Sequence, residues 1–129
     1  MDPRILTDRP RHEFYFDAEG CHITELSNSG RDEALSIARA RVAPGVTTAW
    51  HFLRSITERY VILSGTGLVE VGDGQPTAVG TDDVVIIPPH CRQRITNTGG
   101  QDLLFLALCT PRFRTEYFTL CDKSGNGVN

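Results

Sequence analysis

The hydrophobic residues of this chain fall in short runs, and within several of these runs they alternate with polar residues. Residues 38–42, Ala-Arg-Ala-Arg-Val, show the alternation most clearly. Because successive side chains of a strand point to opposite faces, this pattern is typical of a half-buried strand. Asp32–Arg41 also contains helix-favouring residues, but the alternation favours a strand there.

The runs are rich in β-branched and aromatic residues, and they end at Gly, Pro, Asn or Asp, as strands do. They predict ten strands: Glu13–Phe16, Cys21–Glu25, Leu35–Val42, Thr47–Leu53, Glu58–Ser64, Gly67–Val71, Gln75–Val79, Asp83–Ile87, Gln93–Asn97 and Leu103–Cys109. Arg114–Leu120 is a candidate for a last strand, and residues 122–129 are predicted to form a flexible tail. The pattern therefore predicts an all-β domain with little helix.

Length and charge narrow the class of protein. The chain has 129 residues, a usual size for one domain, so a single domain over residues 1–129 is expected. Its formal net charge is -3 with acids and bases mixed, and no basic stripe indicates nucleic acid binding. The longest apolar run, Leu103–Cys109, is too short to span a bilayer, and the first residues do not resemble a secretion signal. We expect a cytoplasmic protein with neither nucleic acid nor membrane as a partner.

Four cysteines, Cys21, Cys91, Cys109 and Cys121, are spread along the chain without a C-x-x-C pair. A cysteine-based zinc site is therefore not expected. In a reducing compartment all four stay as thiols.

Two motifs lie in the middle of the chain. In the first, Gly45, His51, Leu53, Glu58 and Gly65 are separated by five, one, four and six residues. This segment resembles the first cupin motif, in which a glycine, two histidines, a glutamate and a second glycine follow in that order. Leu53 is its one departure, since it stands where the family has a histidine.

The second motif ends at Asn97 and includes Pro88, His90 and Gln93. It resembles the second cupin motif, with Pro88 and Asn97 at matching positions. It departs from the family by one extra residue before Pro88, by His90 in place of glycine and by Gln93 in place of histidine. The two motifs together span residues 45–97.

The chain is thus similar to small single-domain cupins of the RmlC-like type, with two of the usual three ligand histidines replaced. The resemblance implies a double-stranded β-helix, a jelly-roll barrel that is often dimeric and holds a metal or a small ligand inside. It also implies that the strand faces bearing His51, Glu58 and Gln93 point inward, because the period of two alone does not fix the direction.

In the metal-binding cupins, the motif histidines and glutamate hold a divalent ion. The matching set here is His51, Glu58 and Gln93, since Leu53 has no donor atom and the amide of Gln93 offers only a neutral oxygen. The resemblance therefore implies a weakly held divalent metal (Zn, Fe, Mn or Ni) with open positions for water or substrate. Oxygen-dependent cleavage, isomerisation and cyclisation are the reactions common in the family.

His51 and Glu58 are the candidate catalytic residues, with Glu58 as a ligand or a base. The residues expected to contact a small-molecule substrate share inward faces with them: Gln93, Tyr60, Leu53 and Ile95. Without a metal, the desolvated carboxylate of Glu58 needs another cation, and a hydrogen-bonded His51–Glu58 pair is expected. Such a pair is a candidate for acid/base chemistry.

Other interpretations stay open. Gln93 fits a third ligand, a substrate hydrogen-bond donor or a structural amide about equally well. The two missing histidines also fit a metal-free module that binds or senses a ligand, and a metal-free acid/base enzyme is a third interpretation. His90 suits either the rim of the cavity or a surface turn. Trp50 is expected to face outward, where an aromatic residue suits a homodimer interface.

Overall fold

The structure, a computed structural model, describes residues 2–128 and consists almost entirely of antiparallel strands. Met1 and Asn129, the ends of the predicted domain and of the predicted tail, lie outside the described residues. In chain order the strands are β1 (Glu13–Phe16), β2 (Cys21–Ser27), β3 (Ser36–Val42), β4 (His51–Leu53), β5 (Thr57–Ser64), β6 (Gly67–Val71), β7 (Thr77–Val79), β8 (Val84–Ile87), β9 (Gln93–Asn97), β10 (Leu103–Thr110) and β11 (Phe118–Leu120).

The strands form two sheets. One has six strands in the order β1-β2-β3-β10-β5-β8, and the other has five in the order β11-β4-β9-β6-β7. Strands that are distant in sequence, such as β3 and β10, lie side by side, so both ends of the chain contribute to one sheet. The predicted all-β class is confirmed.

Predicted and observed strands differ mainly at two places. The predicted strand Thr47–Leu53 is reduced to β4, because Thr47 forms only an isolated bridge to Thr96. Arg114–Leu120 divides into a single 3-10 turn over Thr115–Tyr117 and the short strand β11.

Helix is almost absent. The helical interpretation of Asp32–Arg41 is wrong, because β3 pairs with β2 on one side and with β10 on the other. Pairing on both sides satisfies the backbone groups of β3, and this outweighs the helix-favouring side chains. Nothing helical within residues 2–128 has the length and apolar character needed to cross a bilayer.

The segment after β11 folds back on itself. Cys121 forms a bridge with Gly127, and Oδ1 of Asp122 accepts hydrogen bonds from the backbone N–H groups of Ser124 and Asn126 at 2.8 and 3.0 Å. The flexibility predicted for this segment stays a prediction.

The core is formed by every second residue of the strands, because these side chains point inward. In β5, Glu58, Tyr60 and Ile62 are buried, while the residues between them are half-buried, and β9 has the same period of two. Residues from both sheets form the main hydrophobic cluster: Cys21, Ala40, Val42, Tyr60, Ile62, Val69, Val85, Ile87, Ile95, Leu103 and Phe105. Burial of a large apolar side chain contributes roughly 1.5–3 kcal/mol, so this cluster is the main source of stability.

Two central strands of the six-stranded sheet carry small side chains on the inner face. Ala38 of β3 lies opposite Ala107 of β10, and Ser36 lies opposite Cys109. Both alanines are half-buried although they point inward. Small residues at facing positions leave space between the sheets, and this space becomes the cavity described below.

Asn97, the last residue of the second motif, joins three parts of the barrel. It is buried, and its Nδ2 donates to the backbone oxygens of Val42 at 2.8 Å and Gln101 at 2.7 Å. Its Oδ1 accepts from the backbone N–H of Gly99 at 2.9 Å. The amide therefore connects β9 both to the end of β3 and to the turn that leads into β10.

We expect Asn97→Ala to lower the free energy of unfolding by about 2–4 kcal/mol, because the substitution removes three hydrogen bonds at a buried position. Urea unfolding measures the change. The exposed neighbour Thr98 provides a control, and Thr98→Ala should shift stability by less than about 0.5 kcal/mol. Equal effects of the two substitutions would contradict the role given to Asn97.

Candidate functional site

His51 is held from three sides inside the barrel. Its Nδ1 donates to the backbone oxygen of Ala49 at 2.8 Å, and its Nε2 lies 3.0 Å from Oε1 of Glu19. The ring stacks on Phe118 with centroids 4.9 Å apart and an interplanar angle of 20°. Both ring nitrogens face acceptors, so the site favours the doubly protonated imidazolium.

Glu19 reaches His51 from the turn between β1 and β2. The turn ends at Gly20, whose φ of 90° favours glycine, and the backbone oxygen of Glu19 accepts from the N–H of Ala49 at 2.8 Å. The second carboxylate oxygen, Oε2, accepts from the thiol of Cys21 at 2.6 Å. The turn thus docks a carboxylate against the imidazolium with both of its oxygens engaged.

Glu58 takes part in a separate chain of hydrogen bonds. Tyr60 donates its hydroxyl hydrogen to Oε1 of Gln93, and Nε2 of Gln93 donates to Oε1 of Glu58 at 2.9 Å. The other oxygen of Glu58, Oε2, has only the thiol of Cys109 at 3.7 Å as a donor. One oxygen of a buried carboxyl group therefore lacks a strong hydrogen-bond donor among the described residues.

The expected hydrogen bond between His51 and Glu58 is not formed, and that prediction is wrong about the partners. His51 pairs with Glu19, whereas Glu58 pairs with Gln93. Sequence patterns miss Glu19 because Asp-Ala-Glu-Gly is typical of a solvated turn. A buried imidazolium requires a counter-charge, but this requirement does not say from which part of the chain it comes.

The pKa values of the three groups depend on one another. Burial alone would lower the pKa of His51, but the charge of Glu19, its hydrogen bond and the charge of Glu58 raise it to about 9. Burial alone would raise the pKa of Glu19, but the charge of His51 and the hydrogen bonds from His51 and Cys21 lower it. His51 and Glu19 thus form an ion pair at neutral pH.

Burial of Glu58 is only partly compensated. Burial and the negative charge of Glu19 raise its pKa, the charge of His51 and the hydrogen bond from Gln93 lower it, and the result is a pKa of about 7. The single positive charge of His51 is shared between two carboxyl groups and is closer to Glu19. At neutral pH the carboxyl group of Glu58 therefore exists in both protonation states.

A cavity of about 150 Å³ lies on the inner face of the six-stranded sheet beside Glu58. Small residues of β3 and β10 line it, together with the aromatic rings of Phe14, Phe16 and Phe113. Its polar wall includes Glu58 and Tyr60. Within residues 2–128, no Lys, Arg or His side chain lines this cavity.

Not every predicted contact residue lies at the cavity. Leu53 is buried in a small cluster with Ile56 and Cys109, and Ile95 is buried in the main cluster. Gln93 is fully buried one contact behind the wall, between Tyr60 and Glu58. Substrate contact by Leu53, Ile95 and Gln93 stays a prediction.

The donor set does not fit the metal site that the motifs imply. Both nitrogens of His51 face other acceptors, Leu53 has no donor, and the oxygen of Gln93 accepts from Tyr60. Across residues 2–128, no three His, Cys, Asp or Glu side chains lie close enough together to hold a metal ion.

Two further residues singled out by the sequence lie at the surface side of the barrel. His90 is exposed in the turn after β8 and packs on Phe52 with centroids 4.6 Å apart. Trp50 is half-buried, with the guanidinium carbons of Arg94 and Arg92 at 4.4 and 5.8 Å from its ring centroid. The homodimer predicted from the Trp50 face stays a prediction.

We expect Glu19→Gln to lower the pKa of His51 from about 9 to below 6.5, because burial then acts without the main counter-charge. NMR titration of the imidazole measures this shift. In the wild type, the raised pKa of His51 adds stability that is complete below pH 6.5 and is lost as pH rises through 9. Denaturation at several pH values should show this loss in the wild type and not in Glu19→Gln, and parallel profiles would contradict the pairing.

Comparison with known proteins agrees with this architecture. A family model described as a cupin domain matches residues 38–109. An uncharacterized protein of Methanocaldococcus jannaschii is 31% identical over 114 residues, which cover 87% of this chain and 90% of that protein.

Solved structures show the same fold at low sequence identity. Pac13 from Streptomyces, described as a nucleoside dehydratase, superposes with a TM-score of 0.74 at 17% identity over 93% of this chain and 92% of its own. An uncharacterized protein with a double-stranded β-helix domain from Klebsiella pneumoniae superposes with a TM-score of 0.71 at 19% identity, over 95% and 100% of the two chains. The predicted double-stranded β-helix is confirmed, and the match of the family model over more than half of the chain shows that it belongs to the cupin family.

Proposed function

We propose that this cupin is an acid/base enzyme that transfers a proton to or from a small molecule in the barrel cavity, with Glu58 as the proton-transferring group. The observation that carries the proposal is the position of Glu58: a buried carboxyl group on the cavity wall, with one oxygen free of strong donors. A group that transfers protons must reach the substrate, and the position of Glu58 on the cavity wall supports this role.

The surroundings of Glu58 support its use as both base and acid. Its pKa of about 7 makes the carboxylate and the carboxylic acid available together at neutral pH, where proton transfer in either direction is efficient. The hydrogen bond from Gln93 fixes Oε1, and the hydroxyl of Tyr60 in turn fixes the orientation of Gln93. This leaves Oε2 as the atom that exchanges protons with a bound molecule.

The His51–Glu19 pair has an electrostatic role in this proposal. The imidazolium is fixed by Ala49, Glu19 and Phe118 and does not lie on the cavity wall. Its charge keeps the pKa of Glu58 from rising further, and so allows the carboxylate form to exist in a buried site. His51 is thus a positioning residue, and Glu58 is the catalytic one.

The cavity also restricts the size and the charge of the substrate. A space of about 150 Å³ is comparable to an engineered apolar cavity that takes up benzene, so the reacting part of the substrate is about one ring in size. With carboxyl groups on the wall and no basic side chain there among the described residues, phosphates and carboxylates are disfavoured. Isomerisation, cyclisation and elimination of water can each be catalysed by proton transfer to and from the substrate. In an elimination, the base removes a proton from carbon while the C–O bond breaks and the protonated hydroxyl group leaves as water, and the structural neighbour Pac13 is described as a dehydratase.

Proton exchange with solvent tests this function without knowledge of the full reaction. Uridine, monosaccharides, cyclic ketones and amino alcohols are incubated with the protein in D2O, and NMR follows exchange or loss of water. We expect at least one class to exchange, at a rate that rises as pH passes through about 7 because the carboxylate is the base. Glu58→Gln should slow the exchange at least ~100-fold, the usual contribution of a general base.

A control and a chelator separate the alternatives. Asp73→Asn, which removes a carboxylate from a side chain that is 97% exposed and lies outside the cavity, should leave the exchange rate unchanged. Full activity in Glu58→Gln contradicts the proposal, and loss of activity on addition of EDTA favours the metal-dependent chemistry that the family motifs imply. Binding of a ligand without any exchange favours the ligand-binding or sensing alternative.

A further inference from the structure

We propose that the cavity selects a small molecule that carries a cationic nitrogen, and that Glu25 is the residue that binds this nitrogen. The inference rests on the proposed function only in that it concerns the same cavity. It assigns the charge of the ligand and a second polar contact, neither of which follows from Glu58 alone.

The sheet register places Glu25 across the cavity from the reacting group. Glu25 lies opposite Ala38, Ala38 opposite Ala107, and Ala107 opposite Tyr60, in one row across four strands. Three strand spacings separate the backbones of Glu25 and Tyr60 by about 14 Å. The two alanines between them form the floor of the cavity, so a bound molecule lies between Glu25 on one side and Glu58 and Tyr60 on the other.

Among residues 2–128, no cationic side chain forms a salt bridge with the carboxyl group of Glu25. Its one side-chain hydrogen bond within the described residues comes from the amide nitrogen of Asn28 at 3.5 Å, and it is weak. The nearby guanidinium of Arg112 contacts Glu33 and Oδ1 of Asn28 instead. Burial raises the pKa of Glu25, as expected for a carboxyl group that lacks a counter-charge.

Aromatic rings complete a site suited to a cation. Phe14, Phe16 and Phe113 line the cavity with Glu25. Phe113 is fixed through its backbone, since its oxygen accepts from Asn28 at 2.9 Å and its nitrogen donates to Oγ of Ser36 at 2.9 Å. Aromatic faces attract cations, and desolvation strengthens this attraction.

The net charge of the cavity lining also favours a cationic ligand. Glu19, Glu25 and Glu58 line the cavity, while His51 provides a positive charge from behind the wall and is already paired with Glu19. A ligand cation would neutralise part of this excess, whereas an anion would add to it. The cavity therefore favours an ammonium or amidinium group over a neutral group of the same shape.

Three probes of one shape test the inference: benzylammonium, benzyl alcohol and benzoate, with binding measured by calorimetry at pH 7. Each has one ring, matched to the cavity volume of about 150 Å³. We expect the wild type to bind benzylammonium at least ~10-fold more tightly than benzyl alcohol, as a charge pair worth ~1.4 kcal/mol would produce, and not to bind benzoate. Glu25→Gln should reduce the preference to less than ~2-fold and leave the affinity for benzyl alcohol unchanged.

Two control variants locate the effect. Asp73→Asn removes the same charge from a side chain that is 97% exposed, and it should keep the preference. Ala107→Leu fills the floor of the cavity and should abolish binding of both benzylammonium and benzyl alcohol. A preference that survives Glu25→Gln, equal affinities in the wild type, or no binding of any probe at millimolar concentration would overturn the inference.

The outcome is independent of catalysis because binding is measured at equilibrium. A protein that prefers benzylammonium through Glu25 but exchanges no protons would refute the proposed function and leave this inference intact. Proton exchange that depends on Glu58, combined with no preference for benzylammonium, would support the proposed function and refute this inference.

Discussion

The buried ion pair between His51 and Glu19 is the interaction on which the chemistry of this barrel depends. It joins the turn between β1 and β2 to β4, and so brings a carboxylate of the six-stranded sheet to an imidazolium of the five-stranded sheet. Because the pair is buried, removal of one partner would leave the other either as an uncompensated charge in the interior or shifted into its neutral form, and either outcome is more costly than loss of an exposed pair. The pair also sets the field in which Glu58 titrates.

The second constraint is one of volume. Interiors are packed as densely as organic crystals, so a space between two sheets persists only where side chains are too short to fill it. Ser36, Ala38 and Ala107 supply those short side chains on adjacent strands, while Phe105 and Ile62 fill the neighbouring region. The same sheet is therefore a close-packed core on one part of its inner face and the floor of a binding cavity on another.

The sequence predicts the strands well because alternation is a local pattern, and the resemblance to the family motifs supplies the inward direction of their faces. Gln93 is buried as the alternation and the motif require, and it does lie next to His51 across β9 and β4. Partners across the sandwich are a different problem. The motifs suggested that His51 meets Glu58, yet a glutamate from a turn occupies the Nε2 side of the ring, and no periodic pattern contains that residue.

The cavity could not be predicted from sequence for a similar reason. Alternation assigns Ala38 and Ala107 to the inner face separately, but only the register shows that they lie opposite each other. From the sequence alone, Glu25 is an ordinary glutamate at the end of a strand with mixed polar and apolar residues. Its position in one row with Tyr60 depends on four strands that are distant in sequence, and long-range pairing of this kind leaves no local trace.

The two departures from the family motifs have a joint physical consequence. Leu53 removes a donor, and Gln93 turns another into a neutral amide that bridges Tyr60 and Glu58. A divalent ion bound to Glu58 would hold its carboxylate fully ionised, since a nearby cation favours the charged form. Among the described residues, the positive charge that acts on Glu58 is that of an imidazolium already paired with Glu19, and the carboxyl group of Glu58 has a pKa of about 7. With Leu53 and Gln93 at these two positions, the motif glutamate among the described residues has a pKa at which it can gain and lose a proton at neutral pH.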